Sequence, residues 1–78
     1  MQVHERILSD RKYLIDAAIV RTMKVRKSVA HNELVTEVIR LVRFPLEIPM
    51  MKHRIEQLID GEYMRRDDKD ISVYHYVA

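Results

Sequence analysis

Apolar residues recur at helical spacing in three stretches of the chain, and a fourth stretch changes to an extended pattern. Ile15, Ile19 and Met23 repeat with a period near 3.6, and no glycine or proline interrupts Arg11 to Lys27, so a first helix is predicted there. Ile7 and Leu8, followed by Tyr13, Leu14 and Ile15, extend it toward His4 or restart it after Ser9-Asp10, where either side chain can cap the backbone donors. Ser28-Val29-Ala30 breaks the pattern, and Val29 is placed to add one residue pair to a small sheet. His31-Asn32 then offers a cap for a second helix. Leu34, Val35, Val38, Ile39, Leu41 and Val42 fill half of its circumference, with Glu33, Thr36, Glu37, Arg40 and Arg43 on the other half. Phe44-Pro45 ends it, because proline disfavours helical geometry in the residue before it.

Pro49 suits a first helical position, where its missing N–H costs nothing, although Ile48 is a poor residue to precede it. The third helix turns Met51, Ile55, Leu58 and Ile59 inward and Lys52, His53, Glu56, Gln57 and Asp60 outward, and Gly61 is expected to stop it as a left-handed cap. Tyr63-Met64-Arg65-Arg66, the charged turn Asp67-Asp68-Lys69-Asp70, and Val73-Tyr74-His75-Tyr76-Val77 read as a hairpin. Tyr74 and Tyr76 share one face of its second strand and are expected to pack beneath it. The fold class is therefore α+β and mainly helical: a winged helix, made of a three-helix bundle with a C-terminal two-stranded β-hairpin. Residues 1–78 are read as one domain, with 1–10 as a leading segment that can belong to the first helix.

Composition narrows the chemistry more than it names it. A chain of 78 residues buries only about 60–65% of its unfolded surface, so its margin of stability is small. No cysteine is present, which removes disulfides and thiolate metal sites and fits a setting in the cytoplasm and nucleus. The apolar runs are far shorter than the roughly 18–20 residues that cross a bilayer, so no membrane partner is expected. His4, His31, His53 and His75 are scattered without ligand spacing, so surface or capping roles are expected for them and no metal. With one glycine in the chain there is no phosphate-cradling loop, and no nucleophile or acid–base pair has a catalytic context. No cofactor or small-molecule substrate is implied, and the chain is read as non-catalytic.

Winged helices commonly bind DNA, so that reading is weighed first. Lys52, His53, Arg54 and Gln57 on the third helix, with Arg65 and Arg66 on the wing, form the candidate contact set, joined by Lys69. Glu56, Asp60, Glu62, Asp67, Asp68 and Asp70 lie on or beside the same surfaces, and the net charge is only +2. Those carboxylates cancel most of the attraction to a phosphate backbone, so nucleic acid is a disfavoured partner and DNA binding the alternative reading.

The other candidate is a lysine. With about 100° between residues, Ile15, Ile19, Thr22 and Met23 make one face of the first helix, and Lys24 points away from it into solvent. By spacing alone, such a lysine is ordinary solvated charge. The stretch Ala17-Ala-Ile-Val-Arg-x-Met-Lys-x-Arg-Lys27, followed by His31-Asn32-x-Leu34-x-x-Glu37-Val38, changes that. So do Lys52-x-Arg54-Ile55-Glu56-x-Leu58-Ile59, Glu62-Tyr63-Met64-x-Arg66 and the ending Tyr74-His75-Tyr76-Val77-Ala78. Together they resemble the carboxy-terminal domain of the cullins, the scaffold subunits of RING-type ubiquitin ligases, and among these the fourth cullin type. Thr22 departs from the family, which usually has isoleucine at that buried position.

The resemblance implies a C-terminal fragment of a larger E3 scaffold in which Lys24 accepts a ubiquitin-like modifier through an isopeptide bond, activating ubiquitin transfer. It implies as partners the RING-box subunit, the neddylation conjugating enzyme and its ligase, the modifier, and a deneddylating isopeptidase complex. Arg21, Arg26 and Lys27 surround the acceptor as candidate docking charges for an acidic surface. Lys27 and Lys12 are rival acceptors.

Overall fold

The computed structural model describes the backbone of residues 2–77 and the side chains of residues 11–77. The elements run α1 (Gln2–Arg26), β1 (Ser28–Ala30), α2 (His31–Leu41), α3 (Ile48–Asp60), β2 (Met64–Arg66) and β3 (Val73–Tyr76). Helix α1 packs against both α2 and α3, and the strands pack against the helices, which is the winged-helix arrangement. Helix α1 is continuous across Ser9-Asp10 and does not restart there, consistent with the absence of any glycine or proline along it.

Periodicity placed the core correctly. Ile15, Ala18, Ile19 and Met23 of α1 meet Leu34 and Val38 of α2, Val42 just beyond it, and Met51, Ile55 and Leu58 of α3. Val29, Met64 and Tyr74 close that core from the sheet, one residue from each strand. Ile39, placed on the apolar half of α2, stays half exposed at that stripe's edge. Thr22 is also buried, and its hydroxyl donates to the Ala18 carbonyl at 2.9 Å, so the helix satisfies the polar atom itself.

One ion pair ties α1 to α3. The Arg54 guanidinium donates to both carboxylate oxygens of Asp16, at 2.8 and 2.7 Å, with both side chains mostly shielded from water. The hydrogen bond to Asp16 holds the guanidinium pKa above its ordinary value. Arg54 was expected to face outward as a DNA contact; it is taken up by the fold because its spacing leaves it at the edge of the α1–α3 seam, where Asp16 waits.

Five features differ from expectation, each for a local reason. The sheet has three strands in the order β1-β3-β2, not two, with Ser28, Val29 and Ala30 paired to His75, Tyr74 and Val73. Helix α2 is capped by Ala30 rather than His31 or Asn32, and the Glu33 carboxylate accepts the Ala30 N–H at 3.4 Å. Helix α2 also ends before Phe44-Pro45, at Leu41, where Val42 becomes extended to drop its side chain into the core. Glu47 is the N-cap of α3, so Ile48 opens the helix and Pro49 follows within its first turn. Gly61 has φ −80°, and the left-handed residue is Glu62, at φ 64°. A Cβ at Gly61 would come within 3.0 Å of the Tyr63 ring, so the glycine makes room for that ring.

Two stability tests follow from these contacts. Asp16→Ala and Arg54→Ala each strand a partly buried partner charge and are expected to cost about 2 kcal/mol. Urea denaturation of the two single variants and the double variant should give a coupling of comparable size. Glu62→Gly relieves a left-handed backbone and should raise the urea midpoint, by an amount equivalent to about 0.5–1 kcal/mol.

Candidate functional site around the end of helix α1

The last two turns of α1 are held from three sides. Ile19 and Met23 are fully buried and Thr22 nearly so, which fixes the rotation of the helix about its axis. Lys27 then takes φ 68°, and its N–H still reaches the Met23 carbonyl at 2.7 Å, closing the helix. The Lys27 carbonyl accepts the Tyr76 N–H at 2.8 Å, so the chain passes directly from the helix into the sheet.

Given that fixed rotation, Lys24 points into solvent, as its spacing predicts. Among the described residues it takes part in no ion pair and no side-chain hydrogen bond. It stands at the rim of a shallow, mostly apolar depression formed by Ala17, Val20, Arg21 and Val25, the last of these 77% exposed. The surrounding cations are not equivalent. Arg21 is exposed with no ion pair among the described residues, whereas Arg26 lies 3.6 Å from Glu33 and the Lys27 ammonium sits 5.1 Å from the Tyr76 ring centroid. Lys12, the other rival acceptor, is exposed on α1 three turns earlier.

Behind the helix end lies a side-chain relay that sequence reasoning missed. Ser28 Oγ and His75 Nδ1 are 2.7 Å apart, and His75 Nε2 lies 2.6 Å from Asp67 Oδ1. The ionised carboxylate only accepts, so the Nε2–H donates to it and, in the neutral ring, Nδ1 accepts a hydrogen bond from the Ser28 hydroxyl. Asp67 also accepts the N–H groups of Lys69 and Asp70, both at 3.0 Å. The His75 hydrogen bond, with help from those two amides, holds the Asp67 carboxyl down to about 2. Asp70 is lowered too, by the hydroxyl and N–H of Ser72. His31, expected as a cap, is instead hydrogen-bonded through Nδ1 to the Tyr74 hydroxyl at 2.8 Å. Sequence separations of 47, 8 and 43 residues explain why no local pattern announced these pairs.

The DNA-contact set is broken up by the same packing. Lys52, His53 and Gln57 are exposed on α3, but Arg54 is bound to Asp16. Arg66 is paired with Glu56, stacks 5.4 Å from the Tyr74 ring centroid and donates to the Ile71 carbonyl. Arg65 leans on the Arg66 carbonyl and Asp68. Among the described residues no group of His, Asp or Glu could hold a metal ion.

Residues 10–70 match the profile of the cullin protein neddylation domain. The chain belongs to the cullin family. It is 53% identical over 74 residues to human Cullin-4A, covering 95% of this chain and 10% of that protein. Cullin-4 of Caenorhabditis elegans is 48% identical over 99% of this chain, and Cullin-3 of Dictyostelium discoideum 42% over the same share. The chain thus spans about a tenth of the length of these cullins. Among solved structures, the winged-helix domain of Cdc53, from a complex described as Dcn1 with Cdc53 in a dual E3 mechanism for Rub1 ligation, superposes with a TM-score of 0.87 at 32% identity. That match covers 99% of this chain and 91% of the other. The cullin likeness read from the motifs therefore holds, and the comparisons lend no support to the DNA reading.

The relay makes the wing sensitive to acid. A carboxyl whose folded pKa is depressed contributes stability above its unfolded pKa, about 3.9, and loses it as pH falls toward 2. Asp67→Asn should lower the Tm at neutral pH, and the gap between variant and parent should close progressively between about pH 4 and 2, as read by circular dichroism.

Proposed function

We propose that Lys24 is the acceptor for a ubiquitin-like modifier and that this domain is the regulated C-terminal element of a cullin-RING ubiquitin ligase scaffold. The observation that carries the proposal is an amine without a partner among the described residues, displayed on a helix whose residues 22 and 23 are anchored in the core. The family assignment supports it, since the domain is one named for neddylation.

The chemistry asks little of the chain itself. The neutral Lys24 amine attacks the thioester carbonyl that joins the modifier's terminal glycine to a conjugating-enzyme cysteine. An isopeptide bond forms, the C–S bond breaks, the thiolate leaves, and the amine proton passes to a base on the conjugating enzyme. A rigid helix contributes orientation, which replaces a bimolecular search by an aligned encounter. Arg21, with Arg26 and Lys27 behind it, offers positive charge for an acidic partner surface, and the apolar depression beside Lys24 offers contact area. The Dcn1 bound to Cdc53 in the solved complex supports a neddylation ligase of that kind as a partner here. The RING-box subunit, the conjugating enzyme and the deneddylating isopeptidase complete the proposed set, acting in cytoplasm and nucleus. The domain is a non-catalytic substrate in this scheme.

The test is conjugation with purified activating and conjugating enzymes, the RING-box subunit and a Dcn1-type ligase, followed by mass spectrometry of the isopeptide site. Lys24→Arg should reduce single-site conjugation by more than about tenfold, equivalent to about 1.4 kcal/mol in the barrier, while Lys27→Arg and Lys12→Arg should leave the site and the rate within about threefold. Equal modification of the Lys24→Arg and parent chains would overturn the assignment.

A further inference from the structure

Two amines compete at the end of α1, and the fold treats them differently. Arg21, Lys24 and Lys27 are each three residues apart, so an unbroken helix would set them in one row on its outer face. Helix α1 stops at Arg26, however, and Lys27 takes φ 68° instead of a helical value. The row is therefore cut after Lys24.

The last strand holds Lys27 in that turn. The Tyr76 N–H donates to the Lys27 carbonyl at 2.8 Å, which fixes the peptide that leaves the helix. The Tyr76 ring is partly buried and packed against the core, so it is a fixed platform. The Lys27 ammonium lies 5.1 Å from its centroid, inside the roughly 6 Å over which a ring face attracts a cation. Among the described residues the Lys24 side chain has neither a ring beneath it nor an ion pair.

An amine that attacks a thioester must be neutral and must reach outward. The ring attracts the ammonium and not the free amine, so Lys27 gives up that contact before it can react. Lys24 has no such contact to lose. We propose that Tyr76 is a selectivity residue, which keeps Lys27 out of the competition and so confines attachment to Lys24. This rests on Lys24 being the acceptor. Tyr76 acts through Lys27 and is a positioning residue, not a catalytic one. A ring contact at an exposed site of this kind corresponds to a factor of about two to five in reactivity, and the left-handed turn adds to it by taking Lys27 off the row that carries Lys24.

Two measurements on the full chain test this. The first is limited acetylation with sulfo-N-hydroxysuccinimidyl acetate, with the Lys24 and Lys27 rates read by peptide mass spectrometry. In the parent chain Lys27 should react about threefold or more slowly than Lys24. Tyr76→Leu keeps the backbone N–H and removes the ring; with folding checked by circular dichroism, it should raise the Lys27 rate about two- to fivefold and leave the Lys24 rate within about 1.5-fold. Tyr76→Phe, which keeps a ring face, should hold the parent ratio. The second is enzymatic conjugation in a Lys24→Arg background, where residual attachment at Lys27 should rise about two- to fivefold with Tyr76→Leu, stay level with Tyr76→Phe, and vanish when Lys27→Arg is added. Equal acetylation of Lys24 and Lys27 in the parent chain, which needs no variant, overturns the proposal. So does a Lys27 rate that Tyr76→Leu fails to move in either measurement. Conjugation of the parent chain at another lysine overturns the acceptor reading and with it the selectivity claim, and an intact acetylation contrast then shows that the fault lies in that reading.

Discussion

Helix α1 is prevented from rotating about its own axis, and the presentation of every group on its outer face depends on that. Ile15, Ile19 and Met23 form a narrow seam that is almost wholly out of water. Turning the helix by one residue's 100° would expose that seam and bury charge in its place. The Asp16–Arg54 fork sits at the seam's edge and is directional, so it opposes the same rotation with a geometric rather than an apolar penalty. Lys24 inherits its outward direction from its neighbours and makes no directional side-chain contact among the described residues.

The seam, the three helices and the hairpin followed from periodicity, because local spacing decides which side of a helix or strand is apolar. The exposure of Lys24 came from the same rule. Spacing gave no reason to prefer Lys24 over any other solvated lysine, however, and only the motif around it singled it out. The third strand was mostly missed, since three residues with one buried valine carry no pattern and owe their pairing to residues more than forty positions later. The Ser28–His75–Asp67 relay and the His31–Tyr74 pair depend on that same register, so they could not be seen before it. Gly61 misled because glycine usually marks the left-handed residue, whereas here it clears space for the Tyr63 ring and Glu62 takes the turn.

Arginine shows the difference between counting charge and placing it. Read along the sequence, Arg54, Arg65 and Arg66 complete a basic surface on α3 and the wing. In the fold each is drawn toward an acceptor of the chain: Asp16, the Arg66 carbonyl with Asp68, and Glu56. The guanidinium's planar fork suits such internal pairing better than a lysine's point charge. Among the described residues, the cations left without a side-chain hydrogen bond, ion pair or ring contact are mostly lysines, at positions 12, 24, 52 and 69, with Arg21 and Arg43.

The strand order β1-β3-β2 gives β3 the middle of the sheet, flanked by both other strands. Neither β1 nor β2 has a neighbour to bond with until Val73–Tyr76 is available. During synthesis, which proceeds from the amino end at a modest pace, the sheet therefore assembles only after residues 73–76 leave the ribosome. Until then the Lys27 carbonyl lacks its Tyr76 partner and the exit of α1 is not yet stitched down. Nascent chains would thus carry the three helices before the stitch that joins the exit of α1 to the sheet, which arrives only with the third strand.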